Sequence, residues 1–224
     1  MSGSPPSGVI FDCDGVLVDS EELASRVESE LARDLGLSLT TAEAHDLFLG
    51  KTVDGVLELM AGRSGRQLSA AFVYNWAFAT AQVFMHELRP VPQVRAAVEE
   101  LRTRGVALAV ASQSPLARVR FSLEVTGLAQ LFGEHLYVTS MVARPKPAPD
   151  VYLLAASRLG VRPEDCVVVE DSPAGAASAL AAGMRVIGYV SGHAAEDTVA
   201  AMRASGAVVI RSMAELLPLI PPRR

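Results

Sequence analysis

Cysteine, basic charge and long apolar runs are all scarce in this 224-residue chain, and each scarcity argues against a class of protein. Cys13 and Cys166 are the only cysteines, and both lie in apolar stretches, so we expect small buried side chains rather than a disulfide. The net charge is −5 with no basic stripe, which argues against a nucleic-acid partner. No apolar run approaches the roughly 20 residues of a membrane-spanning helix. These features predict a cytoplasmic protein with no membrane or nucleic-acid partner.

The first half of the chain contains one short strand and then a helical segment. Half of all residues are hydrophobic, enough for a large core. The apolar residues 9–11 predict a strand. Between Glu21 and His86 no convincing strand occurs, and the apolar periodicity and glycine breaks predict helices at 21–35, 41–49, 53–63 and 69–87.

After Val91 the pattern changes to helices that alternate with apolar runs such as 106–111 and 166–169. Such runs are typical of strands buried on both faces of a parallel sheet. The alternation predicts an α/β fold with a doubly wound, Rossmann-like parallel-sheet core, and the helical segment becomes an inserted all-helical cap. We place the core at 1–19 and 87–224 and the cap at 20–86.

Two carboxylates follow the first strand directly. Residues two apart on a strand point to the same face, so Asp12 and Asp14 would repel each other unless a cation lay between them. A hard divalent ion with oxygen ligands is the natural partner. Gly15 then allows a sharp exit of the backbone. A strand followed by an Asp-Gly turn would have the same sequence, and for Asp-x-Asp-Gly alone that simpler interpretation is favoured.

Other polar residues follow later predicted strands: Ser112, Glu170 and Asp171. Open α/β sheets bind ligands beyond the carboxyl ends of their strands, so these side chains and the first two carboxylates are expected at one edge. Each also has a structural interpretation. Asp171 would serve as the N-cap of the helix that starts near Ser172, and Ser112 would cap the helix after it, although Ser114 before Pro115 is the better cap.

Four short motifs in order resemble those of the haloacid dehalogenase-like hydrolases, which are aspartate-dependent phosphotransferases. The first is the run 8–20 with its two aspartates, and the others are Val110-Ala-Ser-Gln-Ser114, Lys146-Pro-Ala-Pro-Asp150 and Val167-Val-Val-Glu-Asp-Ser-Pro-Ala-Gly175. The resemblance extends over most of the chain. It is strongest to the cap-bearing branch with β-phosphoglucomutase, phosphoglycolate phosphatase and sugar-phosphate phosphatases, such as those acting on 6-phosphogluconate.

The resemblance implies a role for each motif residue. Asp12 would be the nucleophile and Asp14 the general acid, which requires a somewhat raised pKa. Ser112 and Lys146 would hold phosphate oxygens, with Arg144 as a second candidate cation. The cofactor would be Mg²⁺, held by Asp12, the Asp14 carbonyl and Asp171, with Glu170 acting directly or through a water.

Contacts from the cap and the first loops would select the substrate, a small phosphorylated metabolite. We expect the substrate-binding residues to be Gly15, Glu21, Lys51 and Gln113. The four histidines are not spaced as zinc ligands. The sequence shows no clear exposed apolar seam and does not fix the oligomeric state; we expect a monomer or a weak homodimer.

Two alternatives to a phosphatase remain open. A β-phosphoglucomutase-type phosphotransferase would share the nucleophile, but the family's mutase pattern has a histidine where this chain has Ala24. It also has cationic residues where this chain has Leu49 and Val53, so the grip on a second phosphate is missing. A non-catalytic protein that binds a phosphorylated metabolite is the second alternative, disfavoured because Asp12, Asp14 and Lys146 are all present.

Overall fold

The computed structural model describes residues 5–190 and 196–222. The chain begins with the predicted strand and continues into four helices: β1 (Gly8–Phe11), α1 (Glu21–Asp34), α2 (Thr41–Phe48), α3 (Val53–Ser64) and α4 (Ala70–Glu87). The predicted helices are therefore present, and their ends agree to within a residue. Local chemistry sets several of these ends. Thr40 and Glu43 form a capping box that starts α2, and Gly65 ends α3 in the left-handed conformation at φ 67°.

The remainder of the described chain alternates helices and strands, as the apolar runs predicted. Its elements in order are α5 (Val94–Thr103), β2 (Ala107–Ser112), α6 (Leu116–Val125), α7 (Ala129–Phe132), β3 (Leu136–Val138), α8 (Asp150–Leu159), β4 (Cys166–Glu170), α9 (Pro173–Ala181), β5 (Arg185–Tyr189), α10 (Glu196–Ala204), β6 (Val208–Ile210) and α11 (Leu216–Leu219). Short 3-10 turns lie at Thr139–Met141, Pro163–Asp165 and Met213–Glu215.

The sheet brings the ends of distant strands to one place. Within the described residues, six parallel strands have the order β3-β2-β1-β4-β5-β6. β1 lies between β2 and β4, with Phe11 in register with Val110 on one side and Val169 on the other. The strand order reverses at β1, which is the position where doubly wound sheets bind ligands. The predicted fold class is confirmed.

The two faces of the sheet are covered by separate apolar layers because side chains alternate along each strand. Phe11 and Val110 pack with α5 and α6 on one face, whereas Ile10 and Val168 pack against Tyr152 and its neighbours on the other. In the described residues the strands are largely buried on both faces, and their polar residues lie at the strand ends.

The helices α1 to α4 have an apolar cluster of their own, which includes Val27, Phe48, Met60 and Trp76. α1 also packs against α4, so the segment forms a compact helical unit beside the sheet. No helix in the described parts of the chain is long and apolar enough to cross a bilayer.

Candidate active site

The centre of the site is a buried ammonium group between two carboxylates. Lys146 Nζ donates hydrogen bonds to Asp12 Oδ1 at 2.6 Å and to Glu170 Oε1 at 2.7 Å. It donates a third to the Ala111 carbonyl at 3.1 Å, so each of its three protons has an acceptor. The Lys146 side chain is 1% exposed. The resemblance assigns Lys146 to the phosphate oxygens, which stays a prediction, and the structure places its ammonium group beside Asp12.

Asp12 lies where a carboxylate is difficult to ionise. Burial raises its pKa to about 8, a shift that Lys146 opposes and that the nearby Glu170 reinforces. The ammonium group alone therefore leaves Asp12 short of positive charge, since Lys146 is shared with a second acid. A further cation close to Asp12 would favour the ionised form of its carboxyl group.

Glu170 has its carboxylate oxygens fully engaged. Oε1 accepts from Lys146 and from the Tyr152 hydroxyl at 2.9 Å, and Oε2 accepts from the Ser172 backbone N–H and hydroxyl at 2.8 and 2.9 Å. Burial would raise its pKa, but Lys146 and Ser172 outweigh burial and lower it. A Cβ on Gly175 would overlap this carboxylate, so the glycine leaves room for it. The geometry orients Glu170 towards Lys146, and direct metal binding by Glu170 stays a prediction.

Asp171 is the carboxylate with unused oxygens. In the described chain no side chain or backbone group donates a hydrogen bond to it, and burial together with Glu170, Glu21 and Asp12 raises its pKa well above the usual range. It is not the N-cap of α9, because the Ser172 hydroxyl accepts from the Gly175 N–H at 3.0 Å. Gly15 makes this position possible, since it has φ 72° and a Cβ there would overlap the Asp171 carboxylate.

The donor set suits a hard cation such as Mg²⁺. Asp12, Asp14 and Asp171 supply only oxygen, and Lys146 offsets only part of the effect of burying Asp171 among other acids. Among the described residues no three acidic, histidine or cysteine side chains are already arranged as a complete metal site. A metal would therefore have to draw ligands from the backbone, water or substrate as well, which is common for Mg²⁺.

Asp14 has a different environment from Asp12. It accepts hydrogen bonds from the hydroxyls of Ser20 and Ser114, both at 2.7 Å, and from Arg118 at 3.2 Å. Burial raises its pKa, but Arg118 and the two hydroxyls outweigh burial and the net shift is downwards. The expected raised pKa of Asp14 is therefore wrong for this structure. Ser114 is also not the cap of α6, because its hydroxyl is taken by Asp14 and Pro115 occupies the N-cap position.

A cavity of about 90 Å³ connects these residues to the helical segment. The predicted Ser112, Gln113, Glu21 and Lys51 all line it. Gln113 Nε2 donates to the Gly50 carbonyl, so the loop after β2 contacts the loop between α2 and α3. Substrate contact by these residues stays a prediction. Gly15 does not line the cavity, and its N–H is taken by the Val18 carbonyl at 2.9 Å.

Arg144 lies away from this group. Its guanidinium is bound to the Asp150 carboxylate by two hydrogen bonds at 3.2 and 2.7 Å, and its side chain is 68% exposed. An arginine six residues before an acid at a helix start is better placed for that local pair than for the buried site. The suggestion that Arg144 is a second cation for the phosphate is therefore not supported.

The polar residues of the site that were not anticipated include Ser20, Ser25, Glu28, Arg118 and Tyr152. Arg118 reaches from α6 to Asp14 and stacks over the Phe84 ring of α4, with its carbon Cζ 5.0 Å from the ring centre. Nothing in the local sequence distinguishes it from a surface arginine. Glu28 had a signal, because it falls on the same helix face as Ala24, Val27 and Leu31, where an apolar residue is expected.

Comparison with known proteins identifies the kind of molecule in which such a site occurs. The model of the haloacid dehalogenase-like hydrolase family matches residues 6–183. Hexitol phosphatase A of Escherichia coli (strain K12) is 36% identical over 184 residues, which cover 80% of this chain and 81% of the relative. The 6-phosphogluconate phosphatase of the same strain is 30% identical over 181 residues, 80% of each chain.

A solved structure gives the same result. The hydrolase of this family from Deinococcus radiodurans R1, with bound phosphate and sodium, has a TM-score of 0.77 and 37% sequence identity, and the match covers 96% of this chain and 94% of that one. These similarities confirm the family that the four motifs predicted and the expectation of an enzyme.

Proposed function

We propose, because the chain belongs to the haloacid dehalogenase-like hydrolases, that it hydrolyses a small phosphorylated sugar or sugar acid with Mg²⁺ through a phosphoryl-enzyme formed on Asp12. The observation that carries the proposal is the pair of Asp12 with Lys146, whose ammonium is buried beside the carboxylate at 2.6 Å. A point charge fixed there attracts the phosphoryl group to the nucleophile. The phosphatases among the relatives support the substrate class.

The reaction would have two steps. An Asp12 carboxylate oxygen attacks phosphorus, the ester P–O bond breaks, and the leaving oxygen takes a proton from Asp14 to give the free alcohol. A water then attacks phosphorus, gives a proton back to Asp14, and releases inorganic phosphate from Asp12. For the first step Asp14 must hold a proton, so the contact with Arg118 has to weaken when substrate enters.

The remaining motif residues would bind the phosphoryl group and the metal. Ser112, which lies 1% exposed at the end of β2, would hold phosphate oxygens together with Lys146. Asp12, the Asp14 carbonyl and Asp171 would hold Mg²⁺, with Glu170 direct or through a water. When bound, Mg²⁺ supplies positive charge that neutralises the acidic cluster and the phosphate oxygens.

The helical segment would act as a cap. We assign residues 20–86 to it and residues 1–19 and 87–224 to the catalytic core. Support comes from the contact of Gln113 with the Gly50 carbonyl, which joins the two parts over the site. Closure of such a cap excludes water and completes the site. The proposal also includes a cytoplasmic monomer or weak homodimer, and the two free, buried cysteines are consistent with a reducing compartment.

The test is phosphate release from a panel of phosphorylated metabolites, with Mg²⁺ or with EDTA. The panel contains hexitol phosphates, hexose phosphates, 6-phosphogluconate and phosphoglycolate. We expect release from at least one ester that requires Mg²⁺ and is abolished in Asp12→Asn, a variant of the same shape without a nucleophilic carboxylate. Asp46→Asn, at an exposed position, is the matched control and should keep full activity. Phosphate release that persists in EDTA or in Asp12→Asn would contradict the proposal.

A further inference from the structure

Three polar side chains form a row on the buried side of α1. Glu21, Ser25 and Glu28 are spaced i, i+4 and i+7, so they share one helix face. All three line the cavity that contains Asp12, while Val56 and Trp76 supply apolar wall. Ser25 is 3% exposed and Glu28 is 7% exposed. A face of a helix that packs inwards would ordinarily be apolar, so this row requires an explanation.

Glu28 is the member of the row without any partner. No hydrogen bond or ion pair reaches its carboxyl group from the described residues, although the side chain is buried. Because Glu28 lines the cavity, its carboxyl group can form hydrogen bonds with water or with a ligand there. Glu21 has only a loose contact with His45, at 3.9 Å, and the hydroxyl of Ser25 lies 3.5 Å from the same ring.

The chemistry of the row favours a ligand with hydroxyl groups, which both donate and accept hydrogen bonds. Burial raises the pKa of Glu28 to about 8 and that of Glu21 to about 7, shifts that Arg118 opposes. The carboxyl groups can therefore share protons with hydroxyls as donors or acceptors. A second anion would face a cavity wall in which six acidic residues outnumber three basic ones. Arg118 pairs with Asp14 through one nitrogen, and its buried Nε has no partner among the described residues. Lys51, the other basic residue of the wall besides Lys146, is exposed to solvent.

We propose that Glu21, Ser25 and Glu28 bind hydroxyl groups of the substrate, and that Glu28 makes the enzyme prefer a phosphate ester with a neutral, polyhydroxylated chain to one that ends in a carboxylate. The inference rests on the proposed phosphatase function and narrows its substrate class. The row on α1 and Lys146, which would bind the phosphoryl group, line the same cavity. A chain of carbons with hydroxyls, attached to the phosphorus at Asp12, would extend along this cavity to the row.

A pair of matched esters tests the preference. Glucitol 6-phosphate and 6-phosphogluconate have the same length and differ at one end, where a CH₂OH replaces a carboxylate. We expect the kcat/KM for glucitol 6-phosphate to exceed that for 6-phosphogluconate by about tenfold or more. In Glu28→Leu the ratio of kcat/KM for glucitol 6-phosphate to that for p-nitrophenyl phosphate should fall about tenfold, mostly through KM, because the second ester has no hydroxyls. Glu30→Leu, at an exposed position on the same helix, should leave both ratios unchanged.

Binding measured without turnover separates this inference from the proposed function. Calorimetry with Asp12→Asn protein, alone and combined with Glu28→Leu, compares the two esters when no phosphate is released. Weaker binding of glucitol 6-phosphate in the double variant, with 6-phosphogluconate less affected, supports the inference. An equal loss for both esters, no loss, no binding of glucitol 6-phosphate, or a wild-type preference for 6-phosphogluconate overturns it. Failure of the wild type to hydrolyse any ester would instead overturn the proposed function.

Discussion

Replacing Glu28 by glutamine should change how the stability of the protein depends on pH. Glu28, on α1, is 7% exposed, and its side chain has no hydrogen-bond partner in the described chain. The groups that act on its charge are Arg118 of α6, which favours ionisation, and Glu21 and Asp14, which oppose it. Burial dominates and raises its pKa from 4.5 to about 8. Glutamine has the same shape and no charge to lose.

The direction follows from the proton balance. Between pH 4.5 and pH 8 the unfolded chain has released the Glu28 proton while the folded protein keeps it, so folding is disfavoured increasingly as pH rises. With about 1.4 kcal/mol for each pKa unit, the whole shift corresponds to about 5 kcal/mol, most of which is lost between pH 5 and pH 8. Below pH 4.5 both states are protonated and the penalty vanishes.

Urea unfolding of wild type and Glu28→Gln at pH 5, 6.5 and 8 measures this quantity. The free energy of unfolding of the variant should exceed that of the wild type by an amount that increases with pH, approaching the value above. Glu30→Gln is the control, because its exposed carboxylate should give nearly the same pH dependence as wild type. Parallel curves for wild type and Glu28→Gln would refute the reasoning, since they would mean that Glu28 is ionised in the folded protein at little cost.

Two further substitutions probe the acidic cluster. Lys146→Met removes the cation shared by Asp12 and Glu170, so we expect kcat/KM to fall by about 100- to 1000-fold, and near-wild-type activity would show that the ammonium is not needed. Gly15→Ala introduces a Cβ at φ 72° that overlaps the Asp171 carboxylate, so the Mg²⁺ concentration for half-maximal activity should rise about tenfold or more. An unchanged Mg²⁺ requirement would mean that Asp171 does not bind the metal.

The sheet and the nucleophile could be predicted from the sequence because their signals are local. Apolar runs of four to six residues followed by a polar residue mark both the strand and the edge at which it ends. Asp12 and Glu170 each follow such a run directly, and Asp171 comes next after Glu170. The apolar periodicity and glycine breaks of residues 21–87 predict the four helices equally clearly. The carboxyl edge of a parallel sheet then brings these residues together without any need to know their contacts.

The contacts that adjust the site could not be predicted, because they come from elements far away in the chain. Arg118, which lowers the pKa of Asp14, comes 104 residues later in the chain. Tyr152, on α8, donates a hydrogen bond to Glu170 at the end of β4. Ser114 illustrates the same difficulty, since a serine before a proline-led helix is a good cap by local rules. In this protein the carboxylate of Asp14 binds that hydroxyl instead, because a charged acceptor forms the stronger hydrogen bond.

The central claim, that Asp12 carries the phosphoryl group during turnover, is tested most directly by mass spectrometry of enzyme quenched in acid during hydrolysis of a good substrate. The account predicts a fraction of the protein heavier by one phosphoryl group, with the modification mapped to the peptide that contains Asp12 and absent from Asp12→Asn. A phosphoryl group on another residue, or steady turnover by Asp12→Asn at the wild-type rate, would contradict it.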